Sequence, residues 1–280
     1  MKKICRICSK WLVVLGIIPV FLLGIPAFII VYPISIFNRK LAIRISTLFT
    51  YLTWSLTSLL FCISCRVEGN NILDSSDYFV ISNHLGSVDF MLINEIARMN
   101  NMIAHSKYAI KEGLKVFPVL YQGMVFVGFL VLKRCFKKDR DRIVGYFEFF
   151  KANNIPIWFI LYPEGSRFKK QAQAISWEYS DRNNAPKLNN VLFPRYKGFK
   201  LICEQLRGSR ISKIADITFF YSESEVPPLW KFLLWDTNGY FKYDIRIIPI
   251  DEISDYESFL YKAFERKDAL ITEWKTLKGK

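Results

Sequence analysis

The sequence predicts an α/β protein with a mixed, mostly buried sheet flanked by helices, preceded by an N-terminal membrane helical hairpin. Two observations support this: short β-rich runs alternate with longer helical patterns in the second part of the chain, and long uncharged runs occupy the first part. The composition changes once, near Glu68, from apolar and free of acids to mixed. We therefore predict a membrane hairpin over residues 1–66 and a second domain over residues 67–280.

The hairpin prediction rests on two apolar runs. No charged residue occurs between Trp11 and Pro33, and at about 1.5 Å of helical rise per residue this run could span roughly 34 Å, enough to cross a bilayer. It is also longer than the apolar part of a signal peptide, about 7 to 15 residues. The run from Ile45 to Cys65 is uncharged but rich in Ser and Thr. We leave open whether it spans the bilayer or lies at the interface.

Positive charge is concentrated in the same part of the chain. The formal net charge is +14, and every charged residue before Glu68 is basic: Lys2, Lys3, Arg6, Lys10, Arg39, Lys40, Arg44 and Arg66. These residues bracket the apolar runs, which favours contact with anionic lipid headgroups. A basic face that follows a soluble surface would favour nucleic acid. We therefore expect membrane lipids, and no nucleic acid, as partners.

The cysteine spacing raises the question of a metal site. Cys5-x-x-Cys8 and Cys62-x-x-Cys65 have the spacing of zinc ligands. Each pair lies at the edge of an apolar run, however, where a free cysteine acts as a small hydrophobic residue or a lipid attachment site. We expect no bound metal.

The pattern of the second domain predicts the following elements. Strands are expected over residues 78–82, 155–161, 216–221 and 243–250, and helices over Val88–Met99 and Asp139–Ala152. Alternation of this kind is typical of a layered fold with a buried sheet. The segment from Pro227 to Trp235 fits neither pattern, and we interpret it either as a loop that dips into the headgroup layer or as an ordinary surface loop.

The first candidate site lies in "ISNHLGSVDF", residues 81–90, which contains one of the two histidines. His84 follows a predicted strand, Gly86 permits a tight turn, and Ser87 is a suitable N-cap for the next helix. The turn would allow Asp89, in the first helical turn, to face His84. An ionised Asp could hold one imidazole nitrogen as N–H and leave the other as a base. A capping or core histidine is the structural alternative.

No serine is placed to act as the nucleophile of such a pair. A G-x-S-x-G elbow is absent from the sequence. A His-Asp pair without a protein nucleophile suits direct activation of a substrate hydroxyl.

Three further pieces could bind an anion. Pro163-Glu164-Gly165-Ser166-Arg167 follows a predicted strand, and Arg167 offers a fork of donors that fits phosphate, while Glu164 could orient the arginine or accept from a hydroxyl. Gly128 to Arg134 ends an apolar run with a cation, and Leu192 to Phe199 is a predicted loop that contains Pro194. A strand-end turn with a surface ion pair and a solvated basic face are the structural alternatives.

The chain resembles the PlsC-type glycerolipid acyltransferases, which include lysophosphatidic acid acyltransferases. The resemblance rests on four sequence pieces in a fixed order: His-x4-Asp, Gly…Arg, Glu-Gly-Ser-Arg and Pro-Arg…Gly-Phe. The likeness covers residues 78–275 and is greatest to the eukaryotic branch with lysocardiolipin and lysophosphatidylinositol acyltransferases. The chain departs from the usual motif at Leu85-Gly86, at Ser166 and at Tyr196.

The resemblance implies that His84 is the general base, oriented by Asp89, and that the acceptor hydroxyl attacks an acyl-CoA thioester without a covalent enzyme intermediate. It implies that Arg134, Glu164, Gly165 and Arg167 contact the phosphate or glycerol of the substrate, that Ser166 of the same motif is also a substrate-binding residue, and that the segment with Pro194 bears on the acyl donor or on lipid placement. The expected acceptor is lysophosphatidic acid or a related lysophospholipid, and acyl-CoA is a co-substrate with no further cofactor.

Two other functions remain open from the sequence: acylation of glycerol-3-phosphate, and a non-catalytic lipid-binding role. The expected location is a membrane, the endoplasmic reticulum, with the catalytic domain on the cytoplasmic side.

Overall fold

A mixed sheet forms the centre of the computed structural model, which describes residues 31–229, 231 and 239–278 together with Cys8, Trp11, Leu15, Ile18 and Ile29. Within these residues the sheet has seven strands, in the order β1-β7-β6-β2-β5-β3-β4. β6 and β7 are antiparallel, and all other neighbours are parallel. The strands are β1 Arg66–Glu68, β2 Tyr78–Ser82, β3 Ser106–Lys111, β4 Leu130–Leu132, β5 Trp158–Leu161, β6 Lys213–Tyr221 and β7 Tyr240–Pro249.

Helices cover both faces of the sheet. They are α1 Arg39–Ser64, α2 Asp89–Met99, α3 Pro118–Phe126, α4 Phe136–Asn153, α5 Lys170–Arg182, α6 Tyr196–Leu206 and α7 Tyr256–Lys278. Residues 31–37 are also helical, and short 3₁₀ turns occur at Ile103–His105, Glu112–Val116 and Ile250–Glu252. The prediction of a mixed α/β fold is confirmed.

The four predicted strands are present, β2 with the predicted ends and the other three with shifted ends, and three strands were missed. β5 begins at Trp158 and not at residue 155, because Pro156 has no N–H to donate to the ladder. β1 and β4 have three residues each, which is too short to show the alternation of apolar and polar residues that predicts a strand. β3 was missed because its sequence, Ser106-Lys-Tyr-Ala-Ile-Lys111, places lysines where a buried strand usually has apolar residues.

The two faces of the sheet bury separate apolar clusters. Phe79 and Ile81 of β2 pack in one cluster, and Tyr78 and Val80 of the same strand pack in the other. Side chains alternate between the two faces of a strand. Because both faces of the sheet are covered, all five residues of β2 are buried. β2 therefore lies at the centre of the molecule, and the residues that follow it are held in place from both sides.

Helix α1 joins the N-terminal region to this core. Ser58 of α1 donates a hydrogen bond to the Glu95 carboxylate of α2, and Phe61 packs against Phe241 of β7. The opposite face of α1 carries an exposed apolar stripe of Leu41, Leu48, Leu52 and Leu59, whose spacing places them on one side of a helix.

Within the described residues, no helix combines the length and apolar character needed to cross a bilayer. Most of the run from Trp11 to Pro33 lies outside the described residues. The membrane hairpin and the domain boundary after residue 66 therefore stay predictions. The same holds for the interpretation of the segment from Pro227 to Trp235, because most of its second half also lies outside the described residues.

Candidate active site

The four sequence pieces meet at the edge of the sheet where its central parallel strands end. β2 and β5 are paired with Ile81 opposite Leu161. His84 and Glu164 each lie three residues beyond that pair, so the register brings them together. The backbone N–H of His84 donates to Oε1 of Glu164 at 2.9 Å.

His84 and Asp89 are in direct contact. Nδ1 of His84 lies 2.7 Å from Oδ2 of Asp89. Both carboxylate oxygens of Asp89 also accept from the backbone N–H of Gly86, at 3.0 Å each. An ionised Asp89 assigns the proton to Nδ1, which leaves Nε2 as the basic nitrogen. Asp89 is fully buried at the first position of α2, where the helix dipole favours its negative charge.

The prediction that Ser87 caps this helix is wrong. The N-cap of α2 is Val88, and no side chain caps it. The Ser87 hydroxyl instead accepts from the backbone N–H of Leu229, at 3.1 Å. The segment after β6 thus covers the motif, and a Cβ at Gly86 would lie 2.8 Å from Val226. Close packing with Val226 gives a physical reason for a glycine at position 86.

Two residues that the sequence reasoning missed hold the His84 segment. The Asn83 side chain accepts from the N–H of Phe219 at 2.7 Å and donates to its C=O at 2.9 Å, which extends the pairing of β2 with β6. Tyr162 stacks on the imidazole of His84 with ring centroids 4.2 Å apart. Its hydroxyl is buried, and burial raises the pKa of Tyr162 well above its ordinary value. The spacing of apolar residues along the sequence indicates which residues are buried, and it could not have revealed either contact.

Glu164 is buried and ties three segments together. Besides the His84 N–H, its carboxylate accepts the N–H of Leu192 at 3.3 Å. Burial raises the pKa of Glu164 well above its ordinary value, while the two N–H donors oppose that rise. The sequence suggested a contact with Arg167 or with a substrate hydroxyl. The structure directs the carboxylate to backbone groups, so the substrate contact stays a prediction.

Arg134, Gly165 and Arg195 form a positively charged corner. Gly165 has φ +70°, a conformation that favours glycine, and a Cβ there would lie 3.3 Å from Nε of Arg195. Burial, and then the like charge of Arg195, lower the pKa of Arg134. Arg195 was missed as a site residue, although it directly follows Pro194 in the fourth sequence piece.

The other predicted substrate-binding residues, Pro194, Ser166 and Arg167, lie near this corner in the sequence. Pro194 is buried, and the N–H of Arg195 donates to the C=O of Pro163 at 2.9 Å. Ser166 is half-buried and Arg167 is exposed. The N–H of Phe168 donates to the C=O of His84 at 2.7 Å, so Arg167 is held beside the His84 segment. Within the described part of the chain, no carboxylate forms an ion pair with any of the three arginines at positions 134, 167 and 195.

A sequence profile of the acyltransferase family matches residues 64–222, which include every predicted site residue. The chain belongs to the acyltransferase family. The protein is thus an enzyme that transfers acyl groups.

Curated relatives support this placement. The chain is 29% identical to mouse (Mus musculus) 1-acyl-sn-glycerol-3-phosphate acyltransferase gamma, over 87% of this chain and 67% of that protein. It is 23% identical to mouse lysocardiolipin acyltransferase 1, over 82% of this chain and 62% of the relative. It is 25% identical to a probable 1-acyl-sn-glycerol-3-phosphate acyltransferase of Arabidopsis thaliana, over 74% of this chain and 56% of the relative. The matches therefore span about two thirds or less of the relatives' own lengths.

The fold also has a solved counterpart. The crystal structure of the 1-acyl-sn-glycerophosphate acyltransferase PlsC from Thermotoga maritima matches with a TM-score of 0.52, over 96% of this chain and 98% of that protein. The identity is 14%, so the likeness concerns the fold. The expectation of a PlsC-type family member is confirmed.

Proposed function

We propose that this acyltransferase uses acyl-CoA to acylate the free hydroxyl of lysophosphatidic acid and so forms phosphatidic acid. The observation that carries the proposal is the His84–Asp89 contact, 2.7 Å long, beside a corner of arginines that no described carboxylate neutralises. A base next to a phosphate-binding surface matches an acceptor that carries both a hydroxyl and a phosphate. The names of the relatives support a lysophospholipid acceptor.

The chemistry follows from the protonation of the pair. Nε2 of His84 takes the proton of the acceptor hydroxyl as its oxygen attacks the thioester carbonyl carbon. The tetrahedral intermediate then breaks its C–S bond, and the coenzyme A thiolate takes the proton from the imidazolium. Asp89 remains ionised and stabilises the transient imidazolium charge. No protein nucleophile and no further cofactor is required.

The arginines supply the preference for the acceptor. A phosphate monoester carries almost two negative charges and exposes three oxygens, and a guanidinium can bind two of them at once. Arg167, Arg134 and Arg195 are the donors that we assign to this group. A phosphodiester headgroup, such as that of lysocardiolipin, has one charge per phosphate. It would make fewer of these contacts and is the second candidate acceptor, favoured by the lysocardiolipin acyltransferase relative.

A membrane location fits both substrates. The exposed leucine stripe of α1 and the basic residues near it are suited to an anionic lipid surface. We propose that the catalytic domain faces the cytoplasm, where acyl-CoA is available, on the endoplasmic reticulum.

An acceptor panel tests the proposed function. Purified protein in phospholipid vesicles would be given one labelled acyl-CoA with lysophosphatidic acid, lysocardiolipin, lysophosphatidylinositol or glycerol-3-phosphate. We expect the highest kcat/KM with lysophosphatidic acid. We also expect His84→Ala to lose about 10²- to 10⁴-fold in turnover while it still binds acyl-CoA, because a positioned base is removed.

Two outcomes would contradict this proposal. Transfer to none of the four acceptors would favour a non-catalytic lipid-binding role. Activity of His84→Ala within a few-fold of wild type would remove His84 from the mechanism.

A further inference from the structure

A second cluster of positive charge lies at the other edge of the sheet. His105 directly precedes β3, and Pro156 precedes β5, so both lie where the parallel strands begin. His84 follows the end of β2. At about 3.3 Å per residue, the length of β2 separates the two edges by roughly 16 Å. The cluster is therefore distinct from the reaction centre.

This cluster borders a cavity of about 60 Å³. Three cationic or titratable side chains from different parts of the chain line it: Arg44 of α1, His105, and Lys107 of β3. Thr47 and Asn154 add neutral polar groups. Since a water molecule takes up about 30 Å³ in the liquid, the cavity has room for one tetrahedral oxyanion or about two waters.

Lys107 is the unusual member of the cluster. Its side chain is 1% exposed, and its ammonium donates to the C=O of Ala104 at 3.2 Å. An ammonium has three protons, and within the described residues no carboxylate forms an ion pair with this one. The similarly buried Lys267, by contrast, has Nζ 2.5 Å from Oδ1 of Asp216. Burial lowers the pKa of Lys107 to about 7, and an anion bound beside it would favour the charged ammonium.

Asp77, the acid whose charge acts on His105, has other partners. Asp77 is bound to Nε of Arg210 at 2.5 Å and accepts the N–H of Ile157 at 3.1 Å. Burial and the charge of Lys107 lower the pKa of His105, and Asp77 opposes this shift only in part. The lining of the cavity therefore favours an anion.

We propose that this cavity binds a phosphate group, held by Arg44, His105 and Lys107, at a site separate from the one that performs acyl transfer. Three donors from three elements can each bind a different phosphate oxygen. Arg44 lies on the same helix as the exposed leucine stripe, which favours the headgroup of an anionic lipid as the source of the phosphate. Free inorganic phosphate has the same chemistry and is the other source.

Thermal unfolding of the full chain in neutral detergent tests the site. Wild type, Lys107→Met and Arg44→Ala would be titrated with inorganic phosphate against chloride of equal ionic strength. Lys40→Ala is the matched control, because it removes a charge from the same helix without lining the cavity. A ligand that binds the folded state raises the melting temperature. We expect both cavity variants to need at least about tenfold more phosphate than wild type for the same rise, and the control to match wild type.

Phosphate binding at the catalytic arginines is common to all four proteins and does not affect the comparison. If Lys107→Met does not fold, the exposed Arg44→Ala carries the test. Equal phosphate responses in wild type and the folded cavity variants would overturn the proposal.

A flotation assay identifies the source of the phosphate. The same proteins would be mixed with phosphatidylcholine vesicles, with or without phosphatidic acid. If the cavity variants selectively lose the additional binding to phosphatidic acid, the site takes a lipid headgroup. If their flotation is unchanged while their phosphate response is weakened, the site takes free phosphate.

Discussion

At the scale of single residues, the proposed mechanism depends on the orientation of one imidazole. Asp89 accepts a hydrogen bond from Nδ1 of His84 and two contacts from the Gly86 N–H, so the carboxylate is held in a fixed position. An amide at position 89 could present its NH₂ to Nδ1 and would then favour the opposite tautomer. The proton would move to Nε2, the nitrogen that acts as the base in the proposed mechanism.

We expect Asp89→Asn to lower kcat by at least about 10²-fold with a small change in the KM of acyl-CoA, because the tautomer is altered and binding is not. Steady-state kinetics in vesicles would measure this. Asp181→Asn is the control, since Asp181 is a surface residue that pairs with Lys187. A normal kcat for Asp89→Asn would make Asp89 a structural residue.

Arg167 tests how the phosphate is recognised. We expect Arg167→Ala to lower the kcat/KM of lysophosphatidic acid by roughly 10- to 150-fold, the loss of one charge-assisted contact of about 1.5 to 3 kcal/mol. Arg167→Lys should recover only part, since a lysine cannot make the bidentate contact. The surface variant Arg182→Ala, on the exposed last turn of α5, serves as the control.

The kinetics with respect to the other substrate decide the assignment of Arg167. A loss that appears in the KM of acyl-CoA, with unchanged kinetics of the lysolipid, would place Arg167 at the donor site. The preference for a phosphate monoester would then lose its main support.

At the scale of elements, a single carboxylate connects three loops. Glu164 follows β5, and its two oxygens accept N–H groups from the segment after β2 and from the loop before α6. These loops carry His84 and Arg195, which are far apart in the chain. The geometry of the site thus depends on a residue that is buried beneath it.

We expect Glu164→Gln to lower both stability and turnover. A glutamine amide has one acceptor oxygen, so one of the two N–H groups would face an NH₂ donor in a buried position. Leaving such a group unsatisfied costs about 1 to 3 kcal/mol of unfolding free energy. Denaturant unfolding would measure it, with the exposed Glu265→Gln as control. Unchanged stability and activity would show that the connection is dispensable.

At the scale of the whole molecule, α1 presents two faces with different surroundings. One face is locked to the core through Ser58 and Phe61, while Leu41, Leu48, Leu52 and Leu59 lie exposed on the other. An apolar stripe of this length beside basic residues is suited to a lipid surface.

We expect the intact protein to remain with membranes after carbonate extraction, because the predicted hairpin would insert its apolar run between Trp11 and Pro33 into the bilayer. Immunoblotting of pellet and supernatant would measure this. Deletion of residues 1–66 should leave His84 and Asp89 in the chain but expose the face of α2 that Ser58 contacts, and so reduce solubility. Recovery of the intact protein in the carbonate supernatant would contradict the membrane hairpin.

The sequence by itself determined the order of the chemical groups and the local geometry of one pair. His84 and Asp89 are five residues apart across one turn, so a strand, a glycine and a helix start are sufficient to predict their contact. The alternation of strands and helices similarly predicted the buried central strands, because a two-sided burial pattern is visible in a short run such as Tyr78–Ser82.

Only the tertiary structure decided which distant groups share a site. Glu164 reaches His84 across 80 positions, Tyr162 stacks on the same imidazole, and Arg195 lies against Gly165. The periodicity of apolar residues in the sequence indicates which face of a helix or strand is buried. Strand register and loop packing decide which residues that face contacts. The same reason explains why the strand that contains Lys107 was missed: the charge of Lys107 is typical of a surface, and its burial beside His105 and Arg44 follows from packing alone.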